Sequence, residues 1–361
     1  MTGRPSGDAR GRAPGDGRST VQAPATAGDT GSSGLVARAS RLVRAGSEWA
    51  ANPAVRPWLV GTTALAFVVL TVGSFRALPD EGRSAQPALV AVLVLVTTPA
   101  TLVLNALEYQ FMGQTLGHRI GFRHAMRVGL IASIANYLPA PGGVAVRAAA
   151  LKRRGSTVRS AVSINAVAGL VWAGVTGVVA GAAMMSDDRL VGRASTAVAL
   201  GAAALLASLV WLRRAGDGWQ RRFGLILVIE LGLVLLSGLR VWISLAAIGQ
   251  STGLGAAIAI SGSTVLAAAI GIFPGGLGLR ELLAGGIAAA VGVPAAAAVA
   301  ATALERVASQ VGMALTAVLA GVRLSDLRRG AAADPASEPG PVVPVADPRP
   351  GDAAASRTRG A

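Results

Sequence analysis

Apolar residues are gathered into eight runs between residues 58 and 322, with short polar or glycine-rich loops between them. The chain is 52% hydrophobic and only 14% charged, and each run is long enough to cross the hydrocarbon core of a bilayer. Hydrocarbon offers backbone polar groups no partner outside their own segment, so the runs predict helices. We therefore expect an all-α integral membrane protein, a polytopic helical bundle. The runs lie at 58–75, 88–107, 125–146, 160–185, 194–212, 223–248, 256–291 and 295–322.

Two of these runs contain the same heptapeptide, Pro-Gly-Gly-apolar-small-apolar-Arg. The first copy extends from Pro141 to Arg147 and the second from Pro274 to Arg280. Proline followed by paired glycines breaks a helix and frees backbone N–H groups. The repetition indicates an internal duplication, and paired interruptions in corresponding halves are the sequence pattern of a transporter's substrate site.

Basic residues are gathered in alternate loops, and cytoplasmic loops of membrane proteins carry an excess of Lys and Arg. We therefore predict that these loops and both termini are cytoplasmic. The charge-balanced loop at 186–193 and the uncharged loop at 249–255 are predicted to be external. The basic segments lie before residue 58, at 119–123, at 152–159, at 213–222 and after residue 322.

Two successive basic loops flank the run 125–146, so this run is expected to enter and leave on the same side. We interpret it as a re-entrant helical hairpin that opens to the cytoplasm. The run 256–291 follows the uncharged loop and is interpreted as a second hairpin, re-entrant from outside. The prediction is about six spans plus two re-entrant hairpins, arranged like an inverted repeat. Ordinary spans kinked at their Pro and Gly residues are the alternative.

Residues 1–50 and 324–361 are rich in Gly, Ala, Arg and Pro and poor in aromatic residues. Such segments bury too little apolar surface to offset the loss of chain entropy on folding. We predict two disordered cytoplasmic tails flanking one transmembrane domain at residues 51–323.

The two broken helices are candidate binding sites for a lipid head group. A helix that starts after each Gly-Gly pair favours an anion at its N-terminus, and an arginine one turn later is placed to hold a phosphate. For Arg147 a second interpretation is open, since it precedes Lys152 and has the position of a cytoplasmic flanking charge. The candidate head-group residues are Pro141, Gly142, Gly143, Arg147, Pro274, Gly275, Gly276 and Arg280.

Charges inside apolar runs are functional candidates, because each costs roughly 2.5 to 3.5 kcal/mol at a helix centre on insertion scales. Glu281, Glu305 and Arg306 are predicted to form a gating or counter-charge network. A pair between Glu281 and Arg306 would neutralise both charges inside the bundle. A purely structural ion pair is the alternative for Glu305.

Glu230 and Arg240 also lie inside apolar runs and are functional candidates on the same ground. Glu230 and Arg240 lie ten residues apart, too far for contact along one helix. Arg240 with Trp242 is interpreted as an interfacial anchor, and Glu108 with the next residue, a tyrosine, as part of an interfacial belt. Small residues at 174, 177 and 181, and at 312, 316 and 320, predict close helix packing.

The sequence offers little for catalysis. It has no cysteine and only two histidines, His118 and His124, which lie beside arginines in a polar loop. Nucleotide-binding glycine loops, Ser-His-Asp trios and clusters of acidic metal ligands are missing from it. We therefore predict no enzyme activity, no metal and no cofactor. The net charge of +15 lies in tails and loops, which predicts attraction to anionic lipids and not to nucleic acid.

Four segments together have a family likeness: LPAPGGVAVR at 138–147, FPGGLGLRE at 273–281, GVP at 292–294 and the pair Glu305-Arg306. They resemble the flippase-like transmembrane region of lysylphosphatidylglycerol synthase, over roughly residues 58–322. The resemblance implies a stand-alone bacterial member in the inner membrane. Because only a short Pro-rich tail follows, we expect no aminoacyltransferase half and no aminoacylation of lipid by this chain alone.

Proteins of that family commonly have a Gly-Glu pair before the first arginine and a Glu-Arg pair in the next span. The corresponding positions of this chain hold Gly143-Val144 and Asn165-Ala166. The chain departs from the family pattern at these positions and lacks the acids of the first half, so we place most functional weight on the second half.

These patterns together predict a flippase or transporter that translocates an anionic phospholipid or a polyprenyl-linked lipid across the bacterial inner membrane. A non-catalytic membrane subunit that scaffolds an envelope-lipid enzyme is the second hypothesis, and an ion-coupled transporter of a small solute is the third. Membrane lipids are the expected partners. A homo-oligomer and an envelope-enzyme partner both stay open.

Overall fold

The computed structural model describes residues 85–136, 142–185, 188–214, 216, 218–270 and 276–320, with part of 65–77. Every regular element within these residues is helical, which confirms the predicted all-α bundle. Both predicted tails lie outside the described residues. Pro141, Pro274 and Gly275 of the predicted lipid site lie outside them as well.

The helices are numbered here in chain order along the described residues, and α1 contains a π-helical segment at Leu93–Thr97. One long helix, a group of short helices and a second long helix follow one another twice, as α1 to α4 and as α6 to α10. The bounds are α1 Pro87–Thr115, α2 Phe122–Ala135, α3 Gly142–Arg153, α4 Val158–Met184, α5 Val191–Arg214, α6 Trp219–Ala247, α7 Leu254–Ser261, α8 Ser263–Ile270, α9 Leu279–Ala290 and α10 Ala295–Leu319.

Four helices are long and apolar enough to cross a membrane: α1, α4, α5 and α6. Helix α10 has 25 residues, a sufficient length, but the charged residues Glu305 and Arg306 lower its mean hydropathy. The predicted span at 58–75 lies largely outside the described residues. The protein is thus a multi-pass helical membrane protein, and the number of six spans stays a prediction.

Helices α2 and α3 form an antiparallel pair, hereafter hairpin 1. With 14 and 12 residues they are roughly 20 Å long, too short to cross a bilayer separately. At their tip, the N–H of Gly143 donates to Asn136 Oδ1 over 3.0 Å. At their open end, His118 Nε2 and Ser156 Oγ are 2.8 Å apart. The geometry is that of the predicted hairpin and not of a kinked span.

Helices α7, α8 and α9 form the second antiparallel unit, hereafter hairpin 2. Near its tip, a Cβ placed on Gly276 would lie 3.2 Å from the Cβ of Ala267. Further down, Ala257 of α7 and Ala284 and Ala288 of α9 belong to one buried apolar cluster. The two arms therefore pack against each other along their length.

The two hairpins open toward opposite ends of α4. Hairpin 1 leads through Ser156 directly into the first turn of this helix. The start of hairpin 2 lies at its last turn, where a Cβ on Gly255 would be 3.4 Å from the Cβ of Ala183. Helix α4 has 27 residues, so the two ends are about 40 Å apart. This is the arrangement of an inverted repeat.

Matching glycines begin the two hairpins. Gly121 precedes α2 and Gly253 precedes α7, and both have φ −66° and ψ 145°. Neither has a side-chain atom near its Cβ position. The chain therefore enters both hairpins with the same backbone conformation, as an internal duplication predicts.

Small residues allow the long helices to pack closely, as the sequence predicts. Gly174 and Gly177 of α4 face Gly201 of α5, where a Cβ on Gly201 would lie 2.6 Å from the Gly174 carbonyl oxygen. Gly312 of α10 lies equally close to Thr98, in the turn that follows the π-helical segment of α1.

Candidate functional site

The turn at the tip of hairpin 2 positions the second heptapeptide arginine. Gly276 and Gly278 have φ of 65° and 75°, a backbone conformation that residues other than glycine rarely adopt. Helix α9 then starts at Leu279, with Arg280 and Glu281 in its first turn and no side chain capping it. Both charges are thereby turned into the interior of the bundle.

Glu281 forms an ion pair with Arg306 of α10. Arg306 Nε lies 2.8 Å from Glu281 Oε1, and the two side chains are only 3% and 0% exposed. Arg306 also donates from Nη2 to the carbonyl oxygen of Gly276 over 3.4 Å. The pairing expected from the sequence is present, and it ties the hairpin turn to α10.

Glu305 accepts from two arginines that come from different helices. Arg280 Nη2 lies 2.5 Å from Glu305 Oε2, and Arg240 Nη2 lies 2.7 Å from Glu305 Oε1. Arg240 also donates to Thr101 of α1 over 3.2 Å and to Ser309 of α10. One carboxylate thus joins α6, α9 and α10.

The interpretation of Arg240 as an interfacial anchor is therefore wrong. Its side chain is 8% exposed and paired within the bundle. Trp242, two residues further on, is 40% exposed and donates from its indole N–H to the carbonyl of Thr252. Positions two residues apart on a helix are rotated by about 200° and so face nearly opposite directions, which the spacing of charges along the chain does not reveal.

We call these five charged residues the C-terminal cluster: Arg240, Arg280, Glu281, Glu305 and Arg306. Three arginines and two glutamates leave one positive charge in excess. Two polar atoms of the cluster, Glu281 Oε2 and Arg240 Nε, have no hydrogen-bond partner among the described residues. A buried set of arginines with surplus positive charge is suited to receiving an anion.

The first heptapeptide arginine is paired as well. Arg147 Nη1 of α3 lies 2.8 Å from Glu108 Oε2 of α1, and the side chains are 15% and 9% exposed. The alternative of a flanking cytoplasmic charge for Arg147 is therefore wrong. The belt interpretation of Glu108 and Tyr109 is wrong too, because both residues are buried.

Helices outside hairpin 1 supply acidic residues to the site around Arg147. Glu108 comes from α1, and Glu230 of α6, only 1% exposed, interacts electrostatically with Glu108 and Arg147. Asn165, at one position where the family has an acid, instead donates to the carbonyl of Ala161 in its own helix. We call Glu108, Arg147 and Glu230 the N-terminal cluster; it carries one negative charge in excess.

A groove of about 250 Å³ lies between α2 of hairpin 1 and the end of α10. Its walls are largely apolar, and two exposed arginines one helical turn apart, Arg123 and Arg127, lie along it. The remaining lining residues are Phe122, Met126, Leu130, Thr316 and Ala320.

Within the described part of the chain, no three His, Cys, Asp or Glu side chains are grouped closely enough to hold a metal ion. The buried arginines there are paired with carboxylates: Arg147 with Glu108, Arg240 and Arg280 with Glu305, and Arg306 with Glu281. Such pairs bind anions and protons, and they link helices.

No curated protein matches the chain. The long helices and the two hairpins, each with a paired arginine, lie almost entirely within the region that a family model covers. The model described as "Lysylphosphatidylglycerol synthase TM region" matches residues 58–317, and the chain therefore belongs to this lipid-related family of membrane proteins.

Proposed function

We propose that the protein moves an anionic lipid between the two leaflets of the bacterial inner membrane and catalyses no covalent reaction. One observation carries the proposal: the C-terminal cluster buries a surplus positive charge beside a glycine turn inside an apolar bundle. A phosphate can replace a carboxylate as the partner of an arginine with little change in geometry. Arg280, 14% exposed, is the arginine of the heptapeptide in this cluster.

The groove at α2 supports a route by which a lipid reaches the cluster. Acyl chains fit its apolar walls, and Arg123 and Arg127 attract an anionic head group. Thr316 lies in the groove and Glu305 in the cluster, eleven residues apart on α10, or about 16 Å. Helix α10 therefore leads from the groove to the cluster.

In this proposal Arg147 and Arg280 hold the head group in turn as it passes between the two hairpins. Glu281, Glu305 and Arg306 act as counter-charges that close the path when no lipid is bound. Both termini are cytoplasmic, so the groove and the open end of hairpin 1 receive lipid from the inner leaflet. The partners are membrane lipids.

The test is lipid translocation in proteoliposomes that contain the purified full-length chain. A fluorescent phosphatidylglycerol and a fluorescent phosphatidylcholine serve as anionic and zwitterionic probes. We expect the protein to accelerate movement of the anionic probe, and Arg280→Ala to reduce that rate by at least about tenfold, since a lost charged hydrogen bond costs about 1.5 to 3 kcal/mol. Arg193→Ala, at an exposed position of α5, is the matched control.

Equal rates for wild type and Arg280→Ala contradict the proposal, as does the absence of movement for both probes. In the second case, co-purification with an envelope-lipid enzyme would favour the scaffold hypothesis. Arg280→Lys refines the result, because lysine keeps the charge but loses the planar donor pair that matches phosphate.

A further inference from the structure

Glu230 is a buried charge for which the proposed lipid path has no role. Its side chain lies in α6 and is 1% exposed, and the described residues offer its Oε1 atom no hydrogen-bond partner. A buried carboxylate oxygen without a partner is costly, because no water replaces the lost hydrogen bond. An ionisable group kept at such a position in a membrane helix points to a ligand.

The neighbouring acid is Glu108. The antiparallel helices α1 and α6 meet where a Cβ on Gly232 would lie 3.5 Å from Leu104 Cδ1. Glu108 follows Leu104 by one helical turn, and Glu230 precedes Gly232 by two residues, so the two acids reach the same level. Their carboxylates interact electrostatically, in agreement with this register.

Arg147 is the cation paired within this site, through Glu108. Two further arginines at the end of hairpin 1, Arg153 and Arg154, act on Tyr109, the residue beside Glu108. Buried Tyr109 has no hydrogen-bond partner for its hydroxyl among the described residues. Helices α4 and α5 bring no charge to this level, and the charges of α10 belong to the C-terminal cluster. The charged residues of α4 and α5 are Arg159, Arg193, Arg213 and Arg214, all exposed near helix ends.

We propose that Glu108 and Glu230 share one proton while Arg147 is paired with Glu108, and that the departure of Arg147 makes them bind a second. A protonated carboxyl group donates a hydrogen bond to the other carboxylate, which gives Glu230 the partner it lacks. The same proton removes the surplus negative charge of the N-terminal cluster. The ligand of this site is therefore H⁺, taken from water and returned to it without any covalent change.

The site would couple proton binding to lipid movement, and this step rests on the proposed function. When an anionic head group draws the Arg147 guanidinium away from Glu108, the two acids, which already share one proton, keep one negative charge with no cation beside it. Uptake of a second proton then restores neutrality, and its release returns Arg147 to Glu108. The N-terminal cluster thus takes the proton, and the C-terminal cluster takes the anion.

The first test needs no lipid substrate. Infrared difference spectra of the full-length protein in detergent at neutral pH are compared for wild type, Glu230→Gln and Asp188→Asn, whose acid is exposed. We expect a carbonyl stretch of a protonated carboxylic acid that Glu230→Gln loses and Asp188→Asn keeps. If Glu230→Gln does not fold, Glu108→Gln replaces it, because loss of either acid removes the shared proton. A wild-type spectrum without this band overturns the proposal.

The second test uses fluorescent phosphatidylglycerol in proteoliposomes under a pH gradient of one unit, with the membrane potential clamped. One proton per lipid shifts the final leaflet ratio by up to about tenfold. We expect Glu108→Gln combined with Glu230→Gln to abolish this shift while translocation without a gradient continues. A shift that follows sodium instead of protons, or one that survives loss of both acids, overturns the proposal. If wild type moves no probe at all, the proposed lipid function fails, and the infrared test still decides the proton site.

Discussion

Arg306 Nε lies 2.8 Å from Glu281 Oε1, and this pair joins α10 to the first turn of α9 with almost no solvent exposure. The pair lies directly after the turn at Gly276, whose carbonyl oxygen Arg306 also contacts. Taking two charges out of water is expensive, so the pair persists because each charge compensates the other. It holds hairpin 2 against the long helix that follows it.

Replacing Glu281 with alanine should destabilise the protein severely. Arg306 would keep a buried charge without its carboxylate, a situation that costs about 3 to 5 kcal/mol. We expect a large fall in the thermal unfolding midpoint of the purified protein in detergent. Asp188→Asn changes an exposed acid and should leave the midpoint unchanged.

A double variant separates the charge from the packing. Glu281→Leu combined with Arg306→Met removes both charges and keeps similar side-chain volume, so it should recover most of the lost stability. A double variant as unstable as Glu281→Ala would show that packing, and not the ion pair, holds the two helices together.

The tip of hairpin 1 gives a second prediction. A Cβ on Gly142 would lie 2.2 Å from the carbonyl oxygen of Ala135, which belongs to the backbone and has no rotamer to move into. Gly142→Ala should therefore force the two arms apart and cost about 1 to 3 kcal/mol, seen as a lower unfolding midpoint.

Gly169→Ala is the control for that substitution. Gly169 also lies in a helix, but nothing lies within 4 Å of its Cβ position. Alanine favours a helix over glycine by about 1 kcal/mol, so this variant should be as stable as wild type or more stable. Equal stability of both variants would mean that the arms of hairpin 1 do not pack as closely as described.

Local sequence patterns predicted the helical bundle and its two hairpins. The break at each Gly-Gly pair and the alternation of basic loops predicted hairpins that enter from opposite ends, and the hairpins of the described residues open toward opposite ends of α4. The pair between Glu281 and Arg306 was expected for a related reason, since adjacent opposite charges on neighbouring apolar runs need each other. These features depend on helix length and on the cost of a buried charge, both of which can be calculated from a short window of sequence.

The contacts of Arg240 and Glu108 could not be predicted in that way. Arg240 of α6 meets Thr101 of α1, 139 residues away, because these two helices pack with a particular rotation about their axes. Glu108 follows the apolar run at 88–107, but α1 continues to Thr115 and so buries it. Amino-acid composition determines neither the rotation of a helix about its own axis nor the residue at which the helix ends.

The groove between α2 and α10 gives a prediction about lipid capture. Arg123→Ala should raise the mole fraction of fluorescent phosphatidylglycerol that gives half-maximal translocation by roughly fivefold, from about 1 kcal/mol per basic residue near an anionic surface. The maximal rate should stay the same, because the C-terminal cluster is intact. The measurement is the rate in proteoliposomes as a function of probe content.

Arg193→Ala again serves as the control, since it removes an exposed arginine distant in sequence from the groove. A lower maximal rate with unchanged half-saturation would place Arg123 in the translocation step and contradict a role in capture.

The opposed hairpins can be tested by cysteine labelling, because the chain contains no cysteine. Gly121 and Gly253 occupy matching positions at the open ends of the two hairpins, both are exposed, and a side chain fits at either. In intact spheroplasts, a membrane-impermeant maleimide should label Gly253→Cys at once and Gly121→Cys only after permeabilisation. The wild-type chain provides the background. Labelling of both variants from the same side would contradict the inverted arrangement, because α4 separates their positions by about the thickness of a bilayer with its head groups.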